Sequence, residues 1–193
     1  MKNITLSIVA ASLAIVTVSC SQSSNKNNEQ TVSDTTVVSE AGSSTQTKAN
    51  FSIAPIVTDY LALKNALVSD DDKAAASAGK ELLATLNKVD MKAIPADKHK
   101  EYMDIADDAK ENAEHIGDNA GKIDHQREHL ASLSEDVNDL IKLFGTSQTL
   151  YQDHCPMFND GKGAIWLSEN KEIKNPYYGS KMISCGKMQR ELK

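Results

Sequence analysis

Aromatic side chains are scarce in this 193-residue chain, at 5% of the whole. That excludes a core built on stacked rings and leaves any helices to pack closely around a thin interior. No Walker loop, dinucleotide glycine pattern or HExxH occurs, so phosphate cradles and the common zinc hydrolases have no motif to rest on. Positive charge is short as well: 21 Lys and Arg stand against 27 Asp and Glu, a net −6 at pH 7. This balance argues against nucleic acid as a partner and against electrostatic adhesion to anionic lipid. Cysteine is limited to three positions with no Cys-x-x-Cys among them, and a thiol oxidoreductase loses its usual motif.

What is present begins with the one long apolar run, Ile4 to Val18, behind Lys2. It has the length of a secretion signal and is short for a permanent membrane helix. It ends Thr17-Val18-Ser19-Cys20, which resembles the lipobox of a bacterial lipoprotein with Thr17 in place of the usual leucine. The expectation is a signal peptide over residues 1–19, lipidation of Cys20, and a cell-envelope protein anchored to the membrane by lipid. An ordinary signal cut that leaves Cys20 as a loose thiol is the alternative. Without an acidic run after Cys20 the anchored chain is expected to face the periplasm, from the outer membrane ahead of the inner. Removing residues 1–19 takes away only Lys2 and moves the net charge from −6 to −7.

Residues 20–50 offer almost no large apolar side chains and read as a flexible tether with a reach of roughly 30 Å. From Phe51 a helical period sets in. Ile53, Val57, Tyr60, Leu61, Leu67 and Val68 form a first stripe, with Pro55 suited to a first turn. Asp70, Asp71 and Asp72 then interrupt it and can cap a second helix whose stripe holds Ala75, Ala76, Leu82, Leu83, Leu86 and Val89. A third stripe, Tyr102, Ile105, Ala106, Ala109, Ala113 and Ile116, stops at GDNAG. A fourth runs Ile123, Leu130, Leu133, Val137, Leu140, Ile141 and Phe144 up to Gly145. After Thr146 the period vanishes. The fold expected over residues 51–193 is therefore all-α, an up-and-down four-helix bundle with a C-terminal loop-rich cap. Gln126 and Arg127, close to the fourth stripe, are candidates to tie the cap to the bundle. The plainer alternative for them is a snorkelling surface pair.

The cap holds the distinctive chemistry. Cys155-Pro156-Met157 stands at one end and Met182-x-x-Cys185 at the other, with the turn signal Asn175-Pro176-Tyr177-Tyr178-Gly179 between them. Two thiols and two thioethers suit a soft ion, chiefly Cu(I), and His154 is a further candidate ligand. A Cys155–Cys185 disulfide staple with two packing methionines competes with that reading, and a catalytic thiol is the weaker third possibility. On the fourth helix His125 and His129 stand i and i+4, able to share a metal, and His115 can approach them across GDNAG. Solvated polar-face histidines are the plainer account.

The stretch YQDHCPMFNDGKGAIWLSENKEIKNPYYGSKMISCG resembles the signature of a bacterial domain family of unknown function, of the DUF3347 type. The family is seen in envelope lipoproteins and at the C-termini of heavy-metal efflux adaptors. Gln126, Arg127 and Ser134 match its positions on the last helix, with Leu130 where an aromatic is common, and the likeness runs over roughly residues 55 to 190. What the resemblance implies is an association with heavy-metal handling. It favours a non-enzymatic periplasmic carrier or sequestering factor for copper, with Cys155, Met157, Met182, Cys185 and His154 as ligands and an efflux adaptor as partner. A disulfide-stapled structural or interaction module is the alternative.

Overall fold

The computed structural model describes residues 51–193. The expected signal peptide, the lipidation at Cys20 and the tether to residue 50 lie outside the described residues.

Helix α1 spans Ala54–Val68 with Pro55 in its first turn, where a missing N–H costs nothing. A left-handed Asp70 (φ 57°) turns the chain. Asp71 then caps α2, Asp72–Asn87, by accepting from the Ala74 N–H at 2.9 Å. Two short 3-10 turns lead to α3, His99–Asp118, and the tight turn after it to α4, Ile123–Phe144. Consecutive helices pack on one another and α4 returns to α1, as an up-and-down bundle requires. Among the described residues no helix is long and apolar enough to cross a membrane.

The alanine-rich stripes do close the helices tightly. Ala75, Ala106, Ala109 and Ala113 are fully buried with Leu82, Leu130, Leu133 and Val137. At Gly79 of α2 an added Cβ would sit 3.0 Å from both the Ala113 carbonyl and the Gly117 nitrogen of α3, so the two backbones meet where a side chain would hold them apart. One end of the bundle is closed by Phe51, Tyr102 and Phe144, whose rings meet edge to face at 4.7–6.0 Å.

The expectation of an all-α fold with a loop-rich cap is wrong, because the cap contains a sheet. Strands β1 (Leu150–Cys155), β2 (Ala164–Ser168) and β3 (Lys187–Leu192) form an antiparallel sheet in the order β2-β1-β3, and the protein is mixed α and β. The strands escape detection for physical reasons. In β1 the residues Gln152 and Asp153 are buried alongside Leu150 and Cys155, and a bulge in the pairing with β3 falls between Gln152 and Asp153, which destroys the simple alternation of a half-buried strand. Strand β3, KMQREL, lies on the sheet's edge and is almost wholly exposed, with the charges that suit an edge.

The sheet docks through β2 onto α4 and α1. Trp166 and Leu167 are its fully buried anchors.

Candidate metal site in the cap

The sulfur-bearing segments are the two connections of this sheet. Cys155 ends β1 and pairs with Ala164 at the start of β2. The intervening hairpin loop carries Pro156 and Met157. It turns through left-handed Asn159 and Asp160 and is closed by the Gly163 N–H on the Phe158 carbonyl at 3.0 Å.

The second connection, from β2 to β3, is organised by Asn175, which is fully buried. Its side-chain oxygen accepts from the Tyr177 N–H at 2.8 Å and the Tyr178 N–H at 3.3 Å, an Asx turn that Pro176 pre-shapes. Its side-chain nitrogen donates to the Cys185 carbonyl at 2.6 Å, and its backbone N–H donates to the Ile183 carbonyl at 2.8 Å. One residue therefore fixes both the NPYYG turn and the backbone that bears the second thiol.

The tyrosines of that turn complete the frame. Tyr177 donates its hydroxyl to the Ile165 carbonyl of β2, and Tyr178 donates to the Met157 carbonyl at 3.1 Å. The first holds the turn to the sheet and the second holds it to the CPM loop. At Gly179 (φ 52°) a Cβ would collide with the Asp70 carboxylate and the Arg127 guanidinium, so glycine there lets the turn seat on the bundle.

Arg127 is the other half of that seat. It is 3% exposed, donates to the Pro176 carbonyl at 2.9 Å and the Leu67 carbonyl at 3.2 Å, and pairs with Asp70 at 2.5 Å. The tether between bundle and cap expected of Arg127 is present. Gln126 instead donates within the bundle, to the Asp72 and Ile116 carbonyls. Hydrogen bonds from Ser180 and then from Arg127 pull the Asp70 carboxyl down to about 2.

This frame brings three sulfurs together. The Cys155 and Cys185 thiols are 4.0 Å apart and unlinked, and the Met157 thioether lies 3.7 Å from Cys185. Cys155 is buried at the base, Cys185 half-buried, and Met157 open to solvent at 53%. Local burial, and next the neighbouring Cys155, push the Cys185 thiol above its ordinary range. The same pair of thiols, behind burial, raises the Tyr178 hydroxyl.

The other two expected ligands stand differently. Met182 meets Cys185 through its backbone, its carbonyl accepting from the Cys185 N–H at 3.0 Å. His154 precedes Cys155 on a strand, so alternation sends it to the opposite face, where its ring lies against Gly163. Sequence reasoning missed Asn175 as the clamp on Cys185, although an Asn directly before Pro is the signal of such a turn. It also read Asp70 only as a helix-capping candidate, and nothing local reveals that its carboxylate receives Arg127 and the Ser180 N–H at 3.0 Å.

Among known families, the one described as "Protein of unknown function (DUF3347)" matches residues 56–149. The match covers the bundle and ends immediately before β1, so the CPM, NPYYG and MxxCG elements fall outside it. No curated protein and no solved structure matches the chain.

Proposed function

The helical bundle of this chain belongs to the DUF3347 family, and on that premise we propose that the cap binds one soft monovalent ion, Cu(I). In this reading the protein is a carrier or sequestering factor of the cell envelope, anchored by lipid at Cys20, facing the periplasm and serving a heavy-metal efflux system. Its role is binding, not catalysis.

The observation that carries the proposal is the contact of three sulfurs, two of them unlinked thiols. Metal–thiolate bonds of about 2.3 Å in a trigonal arrangement require sulfurs about 4 Å apart, and the two contacts at 4.0 and 3.7 Å have that spacing. Cys155 and Cys185 supply the thiolates and Met157 the thioether. Met182, which meets Cys185 through its backbone carbonyl, is left outside the donor set. Thiolate and thioether donors select Cu(I) over the harder ions of the same compartment.

The experiment is an anaerobic Cu(I) titration of the reduced protein against a chromophoric competitor. One ion should bind, Cys155→Ser with Cys185→Ser should abolish binding, and Met157→Ala should weaken it by about tenfold or more while Met182→Ala changes it little. Equal affinities for the parent and Met157→Ala would remove the thioether and with it the soft-ion argument. Anchoring is tested separately: Cys20→Ala should release the protein into the soluble envelope fraction.

A second reading draws on the same 4.0 Å approach of the thiols. Oxidised, they would staple the cap by closing a loop of about thirty residues, worth about 3–4 kcal/mol. The intact mass of freshly isolated protein, alkylated with and without prior reduction, separates the two. A native mass short by two hydrogens and resistant to alkylation would replace the ion with the staple.

A further inference from the structure

We propose that His115, His125 and His129 form a second and separate metal site, for a divalent ion of the imidazole-preferring class such as Zn2+, framed by the turn between α3 and α4. The three come from two helices. His115 lies in the last turn of α3, while His125 and His129 stand one turn apart on α4, and a donor nitrogen from each lies within 4.8 Å of the others. The His115 and His129 rings are parallel with centroids 4.3 Å apart, and His125 stands edge-on to His129 at 4.7 Å.

The hydrogen bonds around the rings supply the second argument. Asn112 donates its side-chain N–H groups to the Asp108 carbonyl at 3.0 Å and the Asp136 carboxylate at 3.1 Å. Its orientation is thereby fixed, and its oxygen faces His129 Nδ1 at 3.0 Å. That nitrogen must carry the proton, which leaves Nε2 as a free lone pair. At His125 the Glu128 carboxylate accepts from Nδ1 at 3.2 Å and gives the same result. An amide or carboxylate on the far nitrogen is how ligating histidines are held in the correct tautomer, and here it serves two of the three.

A tetrahedral ion with bonds of about 2.0–2.1 Å needs its nitrogens about 3.3 Å apart. Closing from the present spacing requires the His115 and His125 rings to turn toward His129, and both side chains are partly open to solvent, at 47% and 40% exposed. Three protein nitrogens leave the fourth position to water. The adjacent carboxylates, Glu128 and Glu111, the latter 4.0 Å from His115 Nε2, offset the charge of the ion. The donor set is all nitrogen and so selects differently from the sulfur cluster of the cap.

The test uses the full chain with its three cysteines replaced by Ser, so that thiolates contribute nothing and failure of the Cu(I) reading leaves the outcome untouched. Titrated with Co2+ and then with Zn2+ in competition, it should bind one equivalent. The cobalt spectrum should be that of a four-coordinate nitrogen and oxygen site. His125→Gln, at a side chain that folding does not need, should weaken binding at least a hundredfold, and Asn112→Ala by about tenfold or more through the tautomer it fixes. Cobalt that keeps the spectrum of its hexaaqua ion, or a His125→Gln protein that binds as tightly as its parent, would overturn the site.

Discussion

The bundle and the cap bury their interiors by different rules. Along α4, Leu130, Leu133, Val137 and Leu140 are all fully buried at steps of three and four, and the exposed positions between them are polar. In the cap, Trp166 and Leu167 are buried side by side on one strand while Gln152, Asp153, Ser168 and Asn175 are buried with them. The place where the two meet is marked on the bundle by polar residues that interrupt its apolar stripes. Lys64 pairs with Glu169 at 2.9 Å, Arg127 reaches Pro176, and Asn138 accepts from Arg190 at 3.0 Å. Ser134 and the Leu167 N–H both bond the Tyr60 hydroxyl, at 2.8 and 3.0 Å. A polar side chain on the buried face of a helix is costly unless something satisfies it. Here such residues are the docking marks of the neighbouring layer.

If that seam makes bundle and cap one cooperative unit, the largest effect comes from removing its apolar anchor. Trp166→Ala should cost about 3–5 kcal/mol and shift the whole helical signal in urea unfolding followed by circular dichroism. A helical transition left at its original midpoint would show that the two regions fold apart. Arg127→Met comes next, at about 2–4 kcal/mol, because the Pro176 and Leu67 carbonyls lose their buried donor and Asp70 its partner. Asp70→Ala should cost less, since that carboxylate is one-third exposed and partly screened by water.

The same contrast decides what could be read from the chain without its structure. The four helices were legible because their stripes repeat every three to four residues and their ends carry chemical punctuation, Asp71 before α2 and Gly145 after α4. Arg127 was legible as a tie, since a charge beside a buried stripe needs a partner. The sheet was not, because strands of five or six residues with Gln152 and Asp153 inside and a charged edge outside carry no periodic signal. At the candidate site the sulfur-bearing residues Cys155, Met157 and Cys185 were visible as types. That these three sulfurs touch, and that His154 faces away, depended on strand alternation and on the Asn175 clamp.

A smaller effect with a sign of its own tests the polar interior of the cap. Asp153 is fully buried, neither of its oxygens has a hydrogen-bond partner among the described residues, and burial raises its carboxyl to about 6, against some opposition from Lys64. An unfolded aspartate ionises near 3.9, so the folded state holds the proton more tightly. The stability this supplies is complete below about pH 4 and is lost as pH rises through about 6. Asp153→Asn should flatten that slope, gaining about 1–3 kcal/mol relative to the parent at pH 7.5 compared with pH 4. Parallel stability curves for the two proteins would mean that the carboxyl ionises freely in place.

The smallest stability effect separates a functional side chain from a structural one. Met157 is 53% exposed, and the Tyr178 hydroxyl holds this loop by the Met157 backbone carbonyl, which any residue would supply. Met157→Ala should therefore leave the urea midpoint within about 0.5 kcal/mol of the parent, while its Cu(I) affinity falls by about tenfold. A core methionine behaves the other way, costing about 2–5 kcal/mol on truncation. Stability and affinity that fell together at this position would place Met157 among the packing residues of the cap. A fall in affinity alone leaves the thioether no role but that of a ligand.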